Sequence, residues 1–192
     1  LHFVADSDLV IASDNASSNG TVNQDGGLMS VSGSGSVVIG RAGTGVYNLN
    51  GGTLRTPGVT RGSGTGTFNF NGGTLMPTAA SATFFQGLTA AYVQAGGAVI
   101  DTNGVDVTVA QPLLAGSPSG GLTKNGNGTL TLTGANTYTG TTAVNGGTLA
   151  LNANNIIAGP LVINGGATVT QNAGDRILDN QSVTINGGTY NL

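Results

Sequence analysis

Few side chains in this sequence could do chemistry, so each can be weighed in turn. Asp101 and Asp106 are the best pair of carboxylates. Two such acids facing each other across a sugar could cut a glycosidic bond. Five residues apart in strand-rich sequence, they fall on opposite faces or astride a bend, and serve better as Asx-type turn caps. His2 is the single histidine and cysteine is absent. A His-based triad and a His or Cys metal site therefore lack partners. Asp6, Asp8 and Asp14 lie close together, but without the Gly-Gly-x-Gly-x-Asp pattern of a calcium-binding β-roll, and read as solvated turn residues. Asp175, Arg176 and Asp179 read as a surface ion-pair loop worth little in stability. Arg41, Arg55 and Arg61 either meet on neighbouring turns as an anion patch or are scattered solubilising charges. Gly43-Thr44-Gly45 and Gly64-Thr65-Gly66 are not phosphate loops, since no helix and no suitably placed lysine follows. No catalytic residue, cofactor or metal is expected.

What positions these residues is a repeat. Gly-Gly pairs begin at residues 26, 51, 72, 96, 120, 146, 165 and 187, at intervals of 25, 21, 24, 24, 26, 19 and 22. A period near 23 residues is the mark of a stacked-coil architecture. Aligned on the first glycine, five of the eight pairs are preceded by asparagine: Asn50, Asn71, Asn145, Asn164 and Asn186. Tyr47-Asn48-Leu49-Asn50, Phe68-Asn69-Phe70-Asn71 and Leu130-Thr131-Leu132-Thr133 alternate strictly. Period two sends the apolar members inward and the Asn or Thr members outward. Each unit thus reads as strand, glycine turn, strand. The turns are assigned to Gly51, Gly72, Gly146, Gly165 and Gly187, where positive φ is tolerated.

One such unit cannot bury its apolar face alone. Stacked on the next, it pairs in parallel at about 4.8 Å and buries a continuous column. Leucine then lies on phenylalanine, Tyr47 on Phe68, and the turn asparagines form amide ladders. The expectation is an all-β parallel β-helix, a solenoid of about eight coils, as a single domain over 1–192. Residues 1–32 form a weaker N-terminal coil. Residues 76–95 and 111–119 interrupt the pattern. The first is either a short helix or loop leaning on the coil, or a broader turn with bulkier core residues. If a ligand binds, these edge insertions are the place to look.

Composition agrees. Of 192 residues 35 are glycine, glutamate is absent, and Lys124 is the only lysine, which leaves little for long helices. A net charge of −3, spread thinly, offers no basic stripe for nucleic acid. No apolar stretch is long enough for a membrane span. A weakly charged surface of Thr, Ser, Asn and Gly suits an extracellular protein. The start at Leu1, without a signal peptide, suggests a processed or excised piece of a longer precursor.

The run Gly120-Gly121-Leu122-Thr123-Lys124-Asn125-Gly126-Asn127-Gly128-Thr129-Leu130-Thr131-Leu132-Thr133-Gly134-Ala135-Asn136-Thr137-Tyr138-Thr139-Gly140, ending in Asn145-Gly146-Gly147-Thr148-Leu149, carries a further signal. It resembles the passenger-associated repeat of bacterial autotransporters, also called the autotransporter-associated β-strand repeat. Gly43–Leu54 and its copy 21 residues later resemble related units, so the likeness spans roughly residues 33–192. The resemblance implies a right-handed parallel β-helix, secreted or displayed at the bacterial surface, with no single activity attached to the family.

The functional expectation is a non-enzymatic extracellular stalk, fibre or matrix component. Strand edges at Leu1–Val4 and Thr189–Leu192 would invite self-association through terminal coils, or pairing with neighbouring coils of a longer protein. Extracellular glycans are the other partner considered. The rivals are a carbohydrate-binding or carbohydrate-cleaving β-helix, and an adhesin stalk whose binding head lies elsewhere.

Overall fold

The structure is a computed structural model that describes residues 2–5 (backbone only), 7–152, 157–172, 177 and 180–192. Among them there is no helix. The strands in sequence order are β1 His2–Ala5, β2 Leu9–Ile11, β3 Asn19–Val31, β4 Val37–Ile39, β5 Thr44–Thr56, β6 Val59–Arg61, β7 Thr65–Phe70, β8 Thr74–Pro77, β9 Ser81–Phe85, β10 Ala90–Val93, β11 Ala98–Asp101, β12 Val107–Val109, β13 Leu114–Ala115, β14 Leu122–Asn125, β15 Thr129–Leu132, β16 Thr142–Val144, β17 Thr148–Leu151, β18 Leu161–Asn164, β19 Thr168–Gln171, β20 Val183–Asn186 and β21 Thr189–Asn191. They wind into a parallel β-solenoid of about seven turns, about 22 residues apart, close to the coil number and spacing read from the Gly-Gly pairs.

Every coil shows up to three faces. The first face stacks the amino-terminal half of β3, that of β5, then β7, β10 and β13. The second stacks β1, the other half of β3 and of β5, β8, β11, β14, β16, β18 and β20. The third runs β2, β4, β6, β9, β12, β15, β17, β19, β21. Pairing between named strands is parallel throughout, and no helical crossover is needed because the other two faces return the backbone to its start.

Alternation decides what is inside. In β7 the burial alternates through Thr65–Phe70, with Phe68 and Phe70 fully buried and Asn69 facing out. In-register stacking then puts like on like: Tyr47 pairs with Phe68 and Leu49 with Phe70. The Tyr47 and Phe68 rings lie 5.2 Å apart and 3° from parallel. The core is a column of aliphatic and aromatic side chains running from Ile11 to Val169. Burying each of these residues contributes roughly 1.5–3 kcal/mol.

Residues 76–95, set apart by their sequence, supply the end of β8, β9 on the third face and β10 on the first. The register of β9 against β12 shifts between Val107 and Val109. That irregularity turns both Phe84 and Phe85 inward, which strict alternation would forbid. Residues 111–119 hold the short β13, which pairs with β10.

Candidate functional site

The surface feature the sequence builds most deliberately is its amide ladders. On the first face Asn48 Nδ2 donates to Asn23 Oδ1 at 2.7 Å, and Asn69 to Asn48 at 2.7 Å. Gln94 extends this column, donating to Asn69 at 3.4 Å. At the corner between the first and second faces, Asn50 donates to Asp25 at 2.8 Å and Asn71 to Asn50 at 3.2 Å. At the corner between the second and third faces, Asn145 donates to Asn125 at 2.9 Å, Asn164 to Asn145 at 2.6 Å, and Asn186 to Asn164 at 3.1 Å. Each amide so held keeps a second N–H and a second lone pair for solvent or ligand.

The five aligned asparagines therefore belong to two ladders at different corners, not one. Gly72-Gly73 and Gly120-Gly121 lie between first-face and second-face strands, whereas Gly146-Gly147 follows β16, a second-face strand. In the coil between them, Asn125-Gly126-Asn127-Gly128 makes the second-to-third corner. From Asn145 onward Asn-Gly-Gly takes that corner over. Single glycines then keep the earlier one: a Cβ on Gly140 would lie 2.4 Å from Gly120 C, and one on Gly159 would lie 2.3 Å from Gly140 O.

The turn glycines also need a correction. Gly72 and Gly187 have φ of +102° and +82°. At the other three corners the left-handed residue is the second glycine: Gly52 at +70°, Gly147 at +59° and Gly166 at +77°. Gly51 is required for another reason, since a Cβ there would lie 2.5 Å from Asp25 O. Gly146 and Gly165 have room, with nearest atoms at 3.4 and 3.7 Å. A Gly-Gly pair announces one left-handed residue but is symmetric as to which.

A groove runs beside the first-face ladder. Asn48, Asn50, Asn69, Asn71 and Gln94 line one side, and Pro118 of the 111–119 segment stands on the other. No charged residue lines it. Ser117 N–H donates to Gln94 Oε1 at 3.3 Å, which ties the overhanging segment to the ladder.

Asp101 and Asp106 do not form a facing pair. Asp101 Oδ1 caps the Asn103 N–H at 2.8 Å, and Asp106 Oδ1 accepts the Thr129 N–H at 2.7 Å. Asp106 lines a shallow third-face groove with Ser81, Thr108, Thr129 and Thr131, and Asp101 does not. Donation from the Thr129 N–H is the main reason the Asp106 carboxyl is held below its ordinary range.

Lys124 is the residue that sequence reasoning missed. It is fully buried. Four acceptors surround the three N–H groups of its Nζ: Gly126 O at 2.7 Å, Asn125 O at 3.0 Å, Gly146 O at 3.0 Å and Thr102 Oγ1 at 3.2 Å. The signal was there, since alternation from the inward Leu122 sends Lys124 inward too. Burial lowers its pKa to about 8, against the pull of Asp101 and Asp106. The unfolded lysine therefore holds its proton over a pH range where the folded one has released it. Stability should rise with pH in that window. We expect a gain of about 1–2 kcal/mol between roughly pH 8 and 10 in the wild type. Lys124→Met should lack this rise and should lose a little stability towards pH 10, where Tyr47 and Tyr138 ionise in the unfolded chain but not in the folded one. Urea midpoints measured across the window check this, and equal slopes for both proteins would refute it.

The other candidates are dispersed. Arg61 donates to Gly87 O at 2.9 Å and Gly64 O at 2.7 Å from the third face. Arg55 is on the second face, paired with Met76. The three arginines thus do not share one face. Asp8 accepts the Ser36 N–H at 2.8 Å, and Asp14 the Ser13 hydroxyl at 2.6 Å. Asp6, Asp175, Arg176 and Asp179 lie outside the described residues, as does the imidazole of His2. Among the described residues no three His, Cys, Asp or Glu side chains converge, and no helix is long and apolar enough to cross a membrane. Buried phenols complete the polar interior. Tyr47 donates to Gln24 Oε1 at 2.6 Å, and Tyr138 sits 2.8 Å from the Thr142 hydroxyl. Burial raises both, Tyr138 to about 12.

Comparison with known proteins fits this geometry. The passenger-associated-transport-repeat family matches residues 122–151 and again 146–169. The matches take in Lys124 and three of the four asparagines of the second-to-third-corner ladder, Asn125, Asn145 and Asn164. No curated protein and no solved structure matches the sequence. Residues 122–169, about a quarter of the sequence, are thus similar to passenger-associated-transport repeats, and they are wound into the parallel β-solenoid that the rest of the described residues continue.

Proposed function

We propose that this protein is a structural segment of the autotransporter passenger type: a stiff spacer that works outside the cell, as part of a surface stalk or fibre. The observation that carries this reading is the unbroken coil-to-coil pairing of a matched passenger repeat. Among the described residues, Asp8, Asp101 and Asp106 are spent on backbone N–H groups, while side-chain amide and backbone bonds join coil to coil. A stalk needs stiffness along its length, and stacked coils supply it through nearest-neighbour contacts alone. Electron microscopy of the purified protein provides the test. Straight rods of uniform width support the spacer reading, and flexible or globular particles overturn it.

A second reading is association through the coil that holds β20 and β21. Among the described residues Val183 is 40% exposed and Ile185 50%, and β20 and β21 pair on one side only; a further coil of a longer protein or a second molecule would supply the other side. An edge strand with apolar side chains on show is a ready template for another strand. Ile185→Lys should then abolish any concentration-dependent association of the wild type in sedimentation velocity. A wild type that stays monomeric at every concentration counts against this reading.

A further inference from the structure

Nine Asn-Gly dipeptides occur in the sequence, beginning at residues 19, 50, 71, 103, 125, 127, 145, 164 and 186. Asn-Gly is the dipeptide most open to self-inflicted chemistry. The backbone nitrogen of the glycine attacks Cγ, the carbonyl carbon of the asparagine amide. A ring bond forms between that nitrogen and Cγ, the Cγ–Nδ2 bond breaks, and ammonia leaves carrying the displaced proton. Water then opens the five-membered imide to aspartate, or to its isomer in which the backbone runs through Cβ and Cγ. A glycine favours the step because no Cβ obstructs its nitrogen.

Two things restrain the step here. The asparagine amide can be tied down, and the glycine N–H can be engaged. Asn50, Asn71, Asn145, Asn164 and Asn186 donate along the ladders, and Asn125 accepts there. Gly72 N–H also donates to Gly97 O. Asn19 donates to Ser17 O, and Gly128, which follows Asn127, donates its N–H to Thr102 Oγ1.

Asn103-Gly104 escapes both restraints. It forms the tip of the turn closed by Val105 N–H donating to Thr102 O, with φ of +53° at Asn103 and +78° at Gly104. Both residues are exposed. The Asn103 backbone N–H is capped by Asp101, but among the described residues neither the Asn103 side-chain amide nor the Gly104 N–H makes a hydrogen bond. A Cβ on Gly104 would meet nothing within 4 Å. The space around Gly104 is therefore open, and the glycine nitrogen is free of neighbours that would bar its approach to the Asn103 side chain.

We propose that Asn103 is a site of spontaneous deamidation, and that the amide ladders protect the other asparagines they hold. Conversion at Asn103 adds a carboxylate on the turn between Asp101 and Asp106, the two acids whose charge acts on Lys124.

The experiment is peptide mapping by mass spectrometry after the folded protein has been aged at mildly alkaline pH, with a digest that separates the nine sites. Asn50, Asn71, Asn145 and Asn164 each hold two side-chain hydrogen bonds that must break first; this slows them by about tenfold or more, so Asn103 should convert at least about tenfold ahead of these four and also ahead of the singly held Asn125 and Asn186. A ladder asparagine converting as fast as Asn103, or an unchanged Asn103, overturns the proposal. Asn125→Ala supplies the second arm, because it removes the acceptor of Asn145. Asn145 should then convert several-fold faster than in the wild type while Asn103 keeps its rate. An unaltered Asn145 would show that the ladder does not protect, and would overturn that half.

Discussion

Phe68→Ala is expected to destabilise the protein by about 3–5 kcal/mol, in the range for losing a fully buried phenylalanine. The ring is stacked on Tyr47, tilted against Phe70 at 4.6 Å and set edge-on to Phe85 at 5.2 Å. Such pairs add about 0.5–1.5 kcal/mol each beyond area. The register explains why the void would stay open. The residue above Phe68 is Tyr47, and the one below is Ala91. Alanine cannot reach into the space, and the backbone of neighbouring coils is fixed by the same ladder that holds β7. Coils couple only to their neighbours, so the damage should be local. Hydrogen exchange should show β5, β7 and β10 opening well before β16 to β19. A loss under about 1 kcal/mol in urea titration would mean that the coils can close over the gap, against a rigid column.

Gly128→Ala is expected to be as damaging, although it adds only a methyl group. A Cβ at Gly128 would sit 2.0 Å from Val105 O and 2.5 Å from Val105 C. Both atoms are backbone of the preceding coil, so no rotamer change relieves the contact. The coils must separate there, and the Gly128 N–H would lose Thr102 Oγ1. Overpacking of this kind costs about 3 kcal/mol or more where nothing can yield. Gly146→Ala is the matched control, since its Cβ would meet nothing closer than 3.4 Å. It should change stability by less than about 1 kcal/mol in either direction. Thermal melting of the two variants side by side gives the answer, and equal losses would show that close approach is not what selects these glycines.

The contrast between those two glycines marks where the sequence stops being legible. The column itself was plain, because alternation is local: Phe68-Asn69-Phe70 says which residues go in without knowledge of any neighbour. Periodicity then supplied the stacking, and with it the Tyr47–Phe68 contact. The phase of the turns was not plain. Asn-Gly-Gly is the same local answer to two different corners, so Asn71 and Asn145 look equivalent until strand pairing shows which face each one follows. Phe84 and Phe85 were hidden for a related reason. A bulge defeats alternation, and a bulge is set by the opposing strand and not by its own residues. Lys124 sat at an inward position of a regular strand, yet its type argued for the surface. Only the carbonyls of three turn residues, gathered around one nitrogen, make the burial tolerable. Asp101 could be weighed correctly as a turn cap, because capping two residues on is a short-range act; Asp106 instead accepts from Thr129 of the next coil, a bond its own neighbours in sequence do not reveal.

Every bond between side-chain amides described above is given by the later coil to the earlier one, from Asn48 on Asn23 to Asn186 on Asn164. Dipoles arranged that way reinforce one another instead of cancelling, as peptide units do along a helix. The rod therefore has an electrical arrow. In its bonds along the stack, each ladder begins with a member that only accepts, such as Asn125, and runs on to one that only donates, such as Asn186, so anything that lengthens it by the same bonding must face the same way.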